Sequence, residues 1–459
     1  MRISRLLPLL AFVAVAAGPA ALTQGPAASA GAPGLAAPPF PKQKLIESKL
    51  DNGLRVVLAP DASAPVFGIA VTYDVGSRNE RPGRTGFAHL FEHMMFQGSE
   101  NVGKGEHFIQ VLNNGGGMNG TTNEDRTNYF ETLPKNQLDL ALFLEADRMR
   151  ALAVNQANFD NQRKTVQEER RLGIDNQPYG KSMLEVDNLS YDNFAYKHSV
   201  IGSMSDLDRA SVQDAKDFFT AYYSPSNAIL VLAGDIKPED ALERVKKYFG
   251  AIGQHPRPPA PDLADEERIG ERRETVYDAM ARLPRLMITW PIAPGNTPDN
   301  DAVQVLAQAL DGGRSARFYQ TLVKDKELAT EEDVGPDMRI GPSLLYVMAT
   351  PRPGVDSKAL EAAIYKIFDD VREKGITAGE LAKARRQLRR KLIEQRQTAL
   401  STAIQIGELT VRFGDPETFN QRYEKLMAVT PEQVQAAARK YIVTEHRTVV
   451  LTLPKEGKS

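Results

Sequence analysis

Apolar residues recur along this chain with two spacings. Short apolar or alternating runs at Leu54–Leu58, Val66–Tyr73, Ala228–Gly234, Arg285–Pro291 and Thr448–Leu453 predict strands. Stripes at three- and four-residue intervals predict helices. Leu138, Ala141, Leu142, Glu145 and Met149 mark one from Pro134 to about Leu152. Leu360, Ile364, Ile367 and Val371 mark Ser357–Lys374, and Leu381, Ala384, Leu388 and Leu392 mark the basic stretch Glu380–Gln397. A polar helix is expected over Phe159–Leu172, another over Gly103–Leu112, and a single strand over Met118–Leu133. Asn52-Gly53 predicts a hairpin turn before Leu54. Ser211 with Asp214, and Thr430 with Gln433, form capping boxes that open helices. Pro238–Phe249 is a helix stopped by Gly250.

The pattern repeats. The capped helix from Val212-Gln213 and the strand Ile229–Leu232 return about 220 residues later as Val434-Gln435 and Val449–Leu451. Arg285–Pro291 likewise mirrors Phe67–Tyr73. Residues 254–272 carry four prolines and mixed charge and read as a linker. The expected fold class is therefore α+β, with two similar duplicated domains at 44–253 and 273–459.

Composition narrows the functional classes. At 459 residues the chain exceeds one ordinary core. A net charge of −2 gives no support for a nucleic-acid partner. The basic run Arg385, Arg386, Arg389, Arg390, Lys391 fits the solvent face of a helix better than a binding patch. The absence of cysteine removes disulfides and thiolate metal sites. Arg2 and Arg5, an apolar run from Leu6 to Ala17 and the small residues Ala28-Ser29-Ala30 predict a cleaved signal peptide over 1–30, followed by a flexible leader over 31–43. The apolar run is too short for a stable membrane anchor. Export to the periplasm, or secretion beyond it, is the expectation.

Candidate chemistry lies in Phe87–Gln97, an apolar stretch without Pro or Gly that holds two of the six histidines. On a helix, His89 and His93 share one face, with Glu92 at its edge. Two neutral imidazoles at that spacing can hold zinc, and the intervening carboxylate can take a proton from activated water. A catalytic site needs a third protein ligand. Glu168 and Glu169, on the polar helix, are the candidates, and spacing alone does not choose between them.

His89-Leu-Phe-Glu-His93 is an H-x-x-E-H motif, and with Val166-Gln-Glu-Glu169 it resembles the pitrilysin-like, or inverzincin, zinc peptidases, which include the catalytic subunit of mitochondrial processing peptidase. The likeness extends to Leu50–Val57, Val75–Glu80 and Lys197–Gly202, and covers about residues 44–455. It implies a zinc endopeptidase of two mostly antiparallel sheets packed with helices, acting on short or unfolded peptides in an enclosed chamber. It assigns His89, His93 and Glu169 as zinc ligands and Glu92 as general base. Asn119, Gly120 and Thr121 would lie on an edge strand that pairs with the substrate backbone.

Two positions depart from the family pattern. An outer Glu is replaced by Gln162. An Arg/Tyr pair in the second half, which grips the substrate carbonyl in many members, is replaced by Val323 and Thr330. Paired subunits occur in the family, so a hetero- or homodimer with a pitrilysin-like subunit is expected, and in the heterodimer a related subunit lacking zinc ligands would supply that pair. The rival is a non-catalytic binding or assembly subunit of the same fold. The intact His89, Glu92, His93 and Glu169 argue against it.

Overall fold

A computed structural model of the chain describes residues 39–253, 255–266 and 270–455. The expected signal peptide lies outside the described residues. The first sheet contains β1 (Ile46–Lys49), β2 (Arg55–Pro60), β3 (Val66–Tyr73), β4 (Gly117–Thr122), β5 (Thr127–Pro134) and β6 (Ala228–Gly234), in the order β1-β2-β6-β3-β5-β4. The second contains β7 (Arg272–Asp278), β8 (Arg285–Ile292), β9 (Ala329–Asp337), β10 (Ser343–Pro351) and β11 (Thr448–Pro454), in the order β7-β11-β8-β10-β9. Apart from β1 the two orders are the same. In each sheet one pair is parallel, β2 with β6 and β7 with β11, and the others are antiparallel. The fold is a duplicated α+β architecture.

Strands β3 and β6 are buried almost throughout because both faces of the first sheet are covered. Alternate residues serve two cores. Val56, Leu58, Ile69, Val71, Leu230 and Leu232 face the main core of the first half. Val57, Ala59, Ala70, Val231 and Ala233 face Ala403 and Ile406 on the helix Ala399–Phe413, which comes from the second half. That helix approaches closely because Gly68 and Gly407 carry no side chain. A Cβ on Gly68 would sit 2.6 Å from the Leu400 Cα, and one on Gly407 2.5 Å from the Thr72 hydroxyl. The exchange is mutual. Helix α5 (Gly180–Ser190) of the first half covers the second sheet. Its Val186 packs with Met287 and Val450, and its Ser182 hydroxyl pairs with Thr452 at 2.5 Å.

The other helices of the first half used below are α1 (Phe87–Met94), α2 (Glu106–Asn113), α3 (Leu138–Ala151) and α4 (Gln156–Arg170). Met118–Leu133 is not one strand. It breaks at Asn123, whose side chain accepts from the amides of Asp125 and Arg126 and closes a turn between β4 and β5. Pro134 ends β5, and α3 begins one turn later. Helix α4 starts earlier than its apolar pattern suggests, at the Asn155 cap, and runs into a wider turn over Arg171–Asp175.

Candidate metal centre

Helix α1 is anchored at its N-terminus. Gly86 has φ 89° and abuts the Gly202 backbone, where a side chain on either residue would collide. The buried Glu80 carboxylate accepts from the amides of Gly86 and Ala88, at 2.9 and 2.8 Å, which satisfies two of the free N–H groups of the first turn. His198 Nε2 lies 2.9 Å from the same carboxylate. Burial opposes charge on the His198 ring more than any single partner favours it, but this hydrogen bond, the Glu80 charge and hydrogen bonds with the backbone of Phe194 and Ser77 together raise the pKa. Glu80 and His198 were not singled out by spacing. Both lie in the stretches Val75–Glu80 and Lys197–Gly202 that carry the family likeness.

Phe87, Ala88, Leu90, Phe91 and Met94 bury one side of α1. His89, Glu92 and His93 occupy the other side and are half-buried. The two rings lie edge to face with centroids 4.8 Å apart. Helix α4 packs alongside through Phe159 and Val166. Its last turn brings the Glu169 carboxylate to 3.2 Å from His93 Nε2 and 3.7 Å from His89 Nε2. One atom from each of the three residues lies within 4.8 Å of the others. Glu168 turns away and pairs with Arg171 at 3.1 Å. Gln162 is buried and donates to Asn161.

The donor set suits a divalent cation of zinc type. Burial, followed by the neighbouring His93, pushes the His89 pKa down to about 4, so its ring is neutral at pH 7 with a lone pair available. The hydrogen bond from His93 holds Glu169 below the usual carboxylate range, so it is ionised. Two imidazole nitrogens and a carboxylate oxygen, the usual donors of a zinc site, converge there.

Glu92 stands beside this group. Burial raises its pKa, while a hydrogen bond from Thr122 and the charges of His93 and Arg126 hold it back. Edge strand β4 packs directly on it. A Cβ on Gly120 would lie 3.1 Å from the Glu92 Cγ, so glycine lets the strand approach. Asn119 and Thr121 flank Gly120 and are exposed, and β4 pairs with β5 on one side only. Motif spacing does not reveal Thr122 and Arg126, because the hydroxyl of one and the charge of the other reach Glu92 from the hairpin rather than from the helix. Val323 and Thr330 belong to the second half, with Thr330 on β9 and bonded to the Thr350 carbonyl.

Among the described residues a second group, His107, Glu131 and Glu145, also lies within mutual reach. The fully buried Arg148 lies against it. The guanidinium donates to both oxygens of Glu145 and lies over the Tyr129 ring at 4.6 Å, so a cation is already supplied.

Residues 55–196 match the family model described as Insulinase (Peptidase family M16), and residues 209–388 match Peptidase M16 inactive domain. The zinc protease PqqE of Helicobacter pylori is 30% identical over 75% of this chain and 78% of its own length. A probable mitochondrial-processing peptidase subunit beta of Arabidopsis thaliana is 22% identical over 86% of this chain and 75% of its own length. The crystal structure of a protease from Helicobacter pylori superposes with a TM-score of 0.86 at 27% identity, covering 90% of this chain and all of that one. A peptidase M16 inactive domain from Pseudomonas fluorescens shares the fold at TM-score 0.80 and 17% identity, over 91% of this chain and 99% of its own.

Proposed function

We propose, from the premise that the chain belongs to the M16 peptidase family, that it is a zinc-dependent endopeptidase of short or unfolded peptides. The observation that carries this reading is the convergence of His89 Nε2, His93 Nε2 and Glu169 beside the half-buried carboxylate of Glu92. His89, His93 and Glu169 would hold the ion. Bound zinc supplies Lewis acidity toward the scissile carbonyl and toward water. Glu92 takes the proton of the attacking water and returns it to the leaving amine. Its raised proton affinity suits a group that must keep that proton between the two events. Asn119, Gly120 and Thr121 bind the peptide as an added strand, which gains main-chain hydrogen bonds with little demand on sequence. An extended peptide can meet such an edge, whereas a folded domain has its own backbone already paired.

The zinc ligands all come from the first half, in keeping with the inactive-domain match of the second. Val323 and Thr330 cannot donate the charge or the phenol of the Arg/Tyr pair found in many relatives. An oxyanion donor contributes on the order of 3 kcal/mol to the barrier. We read the active form as a dimer in which a related subunit supplies that pair, and the protein as exported after removal of residues 1–30. Co-purification from the native host tests the first point, and N-terminal sequencing of the mature protein tests the second.

Glu92→Gln is the decisive variant. Turnover of a fluorescent peptide is expected to fall at least about 1000-fold while zinc content by metal analysis stays at the parent level. Loss of zinc together with activity would make Glu92 a structural residue instead.

A further inference from the structure

The hairpin turn between β4 and β5 is held from the second half of the chain. Asp125, buried at 1% exposure, accepts from the Ile340 amide at 2.8 Å and from the Tyr196 hydroxyl at 2.7 Å. Glu124 faces Arg339 at 3.8 Å. Next to Asp125 the buried Arg126 donates through Nη1 to both the carbonyl and the hydroxyl of Thr121, at 2.9 and 2.8 Å. The same guanidinium turns Nη2 toward Glu408 at 3.5 Å. Glu408 lies on the helix Ala399–Phe413 and also binds Arg412 at 3.1 Å, and Arg412 reaches Asp125 at 4.0 Å. A ring of charge therefore ties two residues of the turn to a helix that the second half lays across the first sheet.

A buried guanidinium keeps its place only while a counter-charge offsets its lost hydration. Glu408 supplies that counter-charge, and Gly407 beside it sets the helix close enough to deliver it. We propose that Glu408 is a positioning residue for peptide binding: through Arg126 it fixes Thr121, and with it the edge strand β4, against Glu92. This rests on the reading of β4 as the peptide-binding strand. It gives the zinc-free half a task inside its own chain, separate from any dimer partner.

The test uses the full zinc-loaded chain in a Glu92→Gln background, with a fluorescein-labelled tryptic peptide of casein followed by anisotropy. Adding Glu408→Gln is expected to weaken peptide binding about tenfold with zinc content unchanged. In the Glu92-intact protein the loss is expected in KM, with kcat within about threefold. Arg126→Lys keeps a charge for Glu408 but cannot serve it and both Thr121 oxygens, and should weaken binding in the same direction. It also stands in if Glu408→Gln fails to fold. Leu409→Ala removes packing from the same helix without touching the turn, and should lower the melting temperature yet leave peptide affinity within about twofold. Equal peptide affinity in the parent and in Glu408→Gln overturns the proposal, as does an equal loss from Leu409→Ala. A zinc-loaded parent that binds no peptide would refute the edge-strand reading itself and take this proposal with it.

Discussion

Glu168 and Glu169 are chain neighbours, both exposed but with different partners, and that difference is measurable. Glu169→Gln is expected to weaken zinc binding beyond the roughly 10- to 100-fold typical of outer-sphere partners, and to abolish turnover. Glu168→Gln, which loses only a surface pair with Arg171, should keep zinc and activity within about twofold. The buried cluster behind the site makes a second residue-scale prediction. Burial pushes the carboxyls of Glu131 and Glu145 up to about 7, and pushes His107 down to about 3. Glu131 shares a short contact with His107, while Glu145 has Arg148 as its counter-ion. A carboxyl whose folded pKa lies above its unfolded value binds more protons when folded. Its stabilising contribution is complete below the unfolded pKa near 4.5 and is lost as pH rises through about 7. These two carboxyls should therefore lower the melting temperature as pH rises from about 4.5 through about 7, with little further change above that. Glu131→Gln, which cannot ionise, should flatten that fall; an unchanged slope would mean that Glu131 is ionised throughout.

Among elements, the helix α1 was the most legible, because two histidines and a glutamate at helical spacing on an apolar segment are informative in one dimension. The hairpin β4–β5 was not. Its turn, Asn123 to Arg126, holds no Gly or Pro, and its closure depends on side-chain bonds from Asn123 and on the burial of Asp125 by distant residues. Close packing of a helix on a sheet was equally hidden, since a glycine within a strand or helix reads as a weakness until its neighbour is known. Gly68→Ala is expected to destabilise the protein by about 1–3 kcal/mol, because the added methyl meets the Leu400 backbone rather than a side chain that can swing away. A urea midpoint shows it. A neutral result would mean that the Ala399–Phe413 helix can back off from β3 at little cost.

At the scale of the whole molecule, the repeat in the sequence corresponds to two sheets with the same strand order, yet the two halves are not independent bodies. Each lends a helix to the other's sheet. Expressed alone, residues 41–253 would expose the face formed by Val57, Ala59, Ala70, Val231 and Ala233 that Ala403 and Ile406 cover in the full chain. That fragment is expected to be insoluble, and to become soluble when co-expressed with residues 254–459. A soluble, cooperatively melting 41–253 would show that the exchanged helix is dispensable for folding.

Local pattern alone determined the duplicated α+β plan, the strands β3 and β6 and the pairing of His89 with His93, because helical and strand periods are short-range and need no knowledge of the rest of the chain. The turn at Asn123–Arg126, the capping of α1 by Glu80 and His198, and the reach of Glu408 to Arg126 were decided only by tertiary structure, and so was the physical ground for Glu169 over Glu168, which spacing left open and only the family resemblance chose. Each joins groups far apart in the chain or distinguishes adjacent ones by direction. Direction at the end of a helix is set by what packs against it.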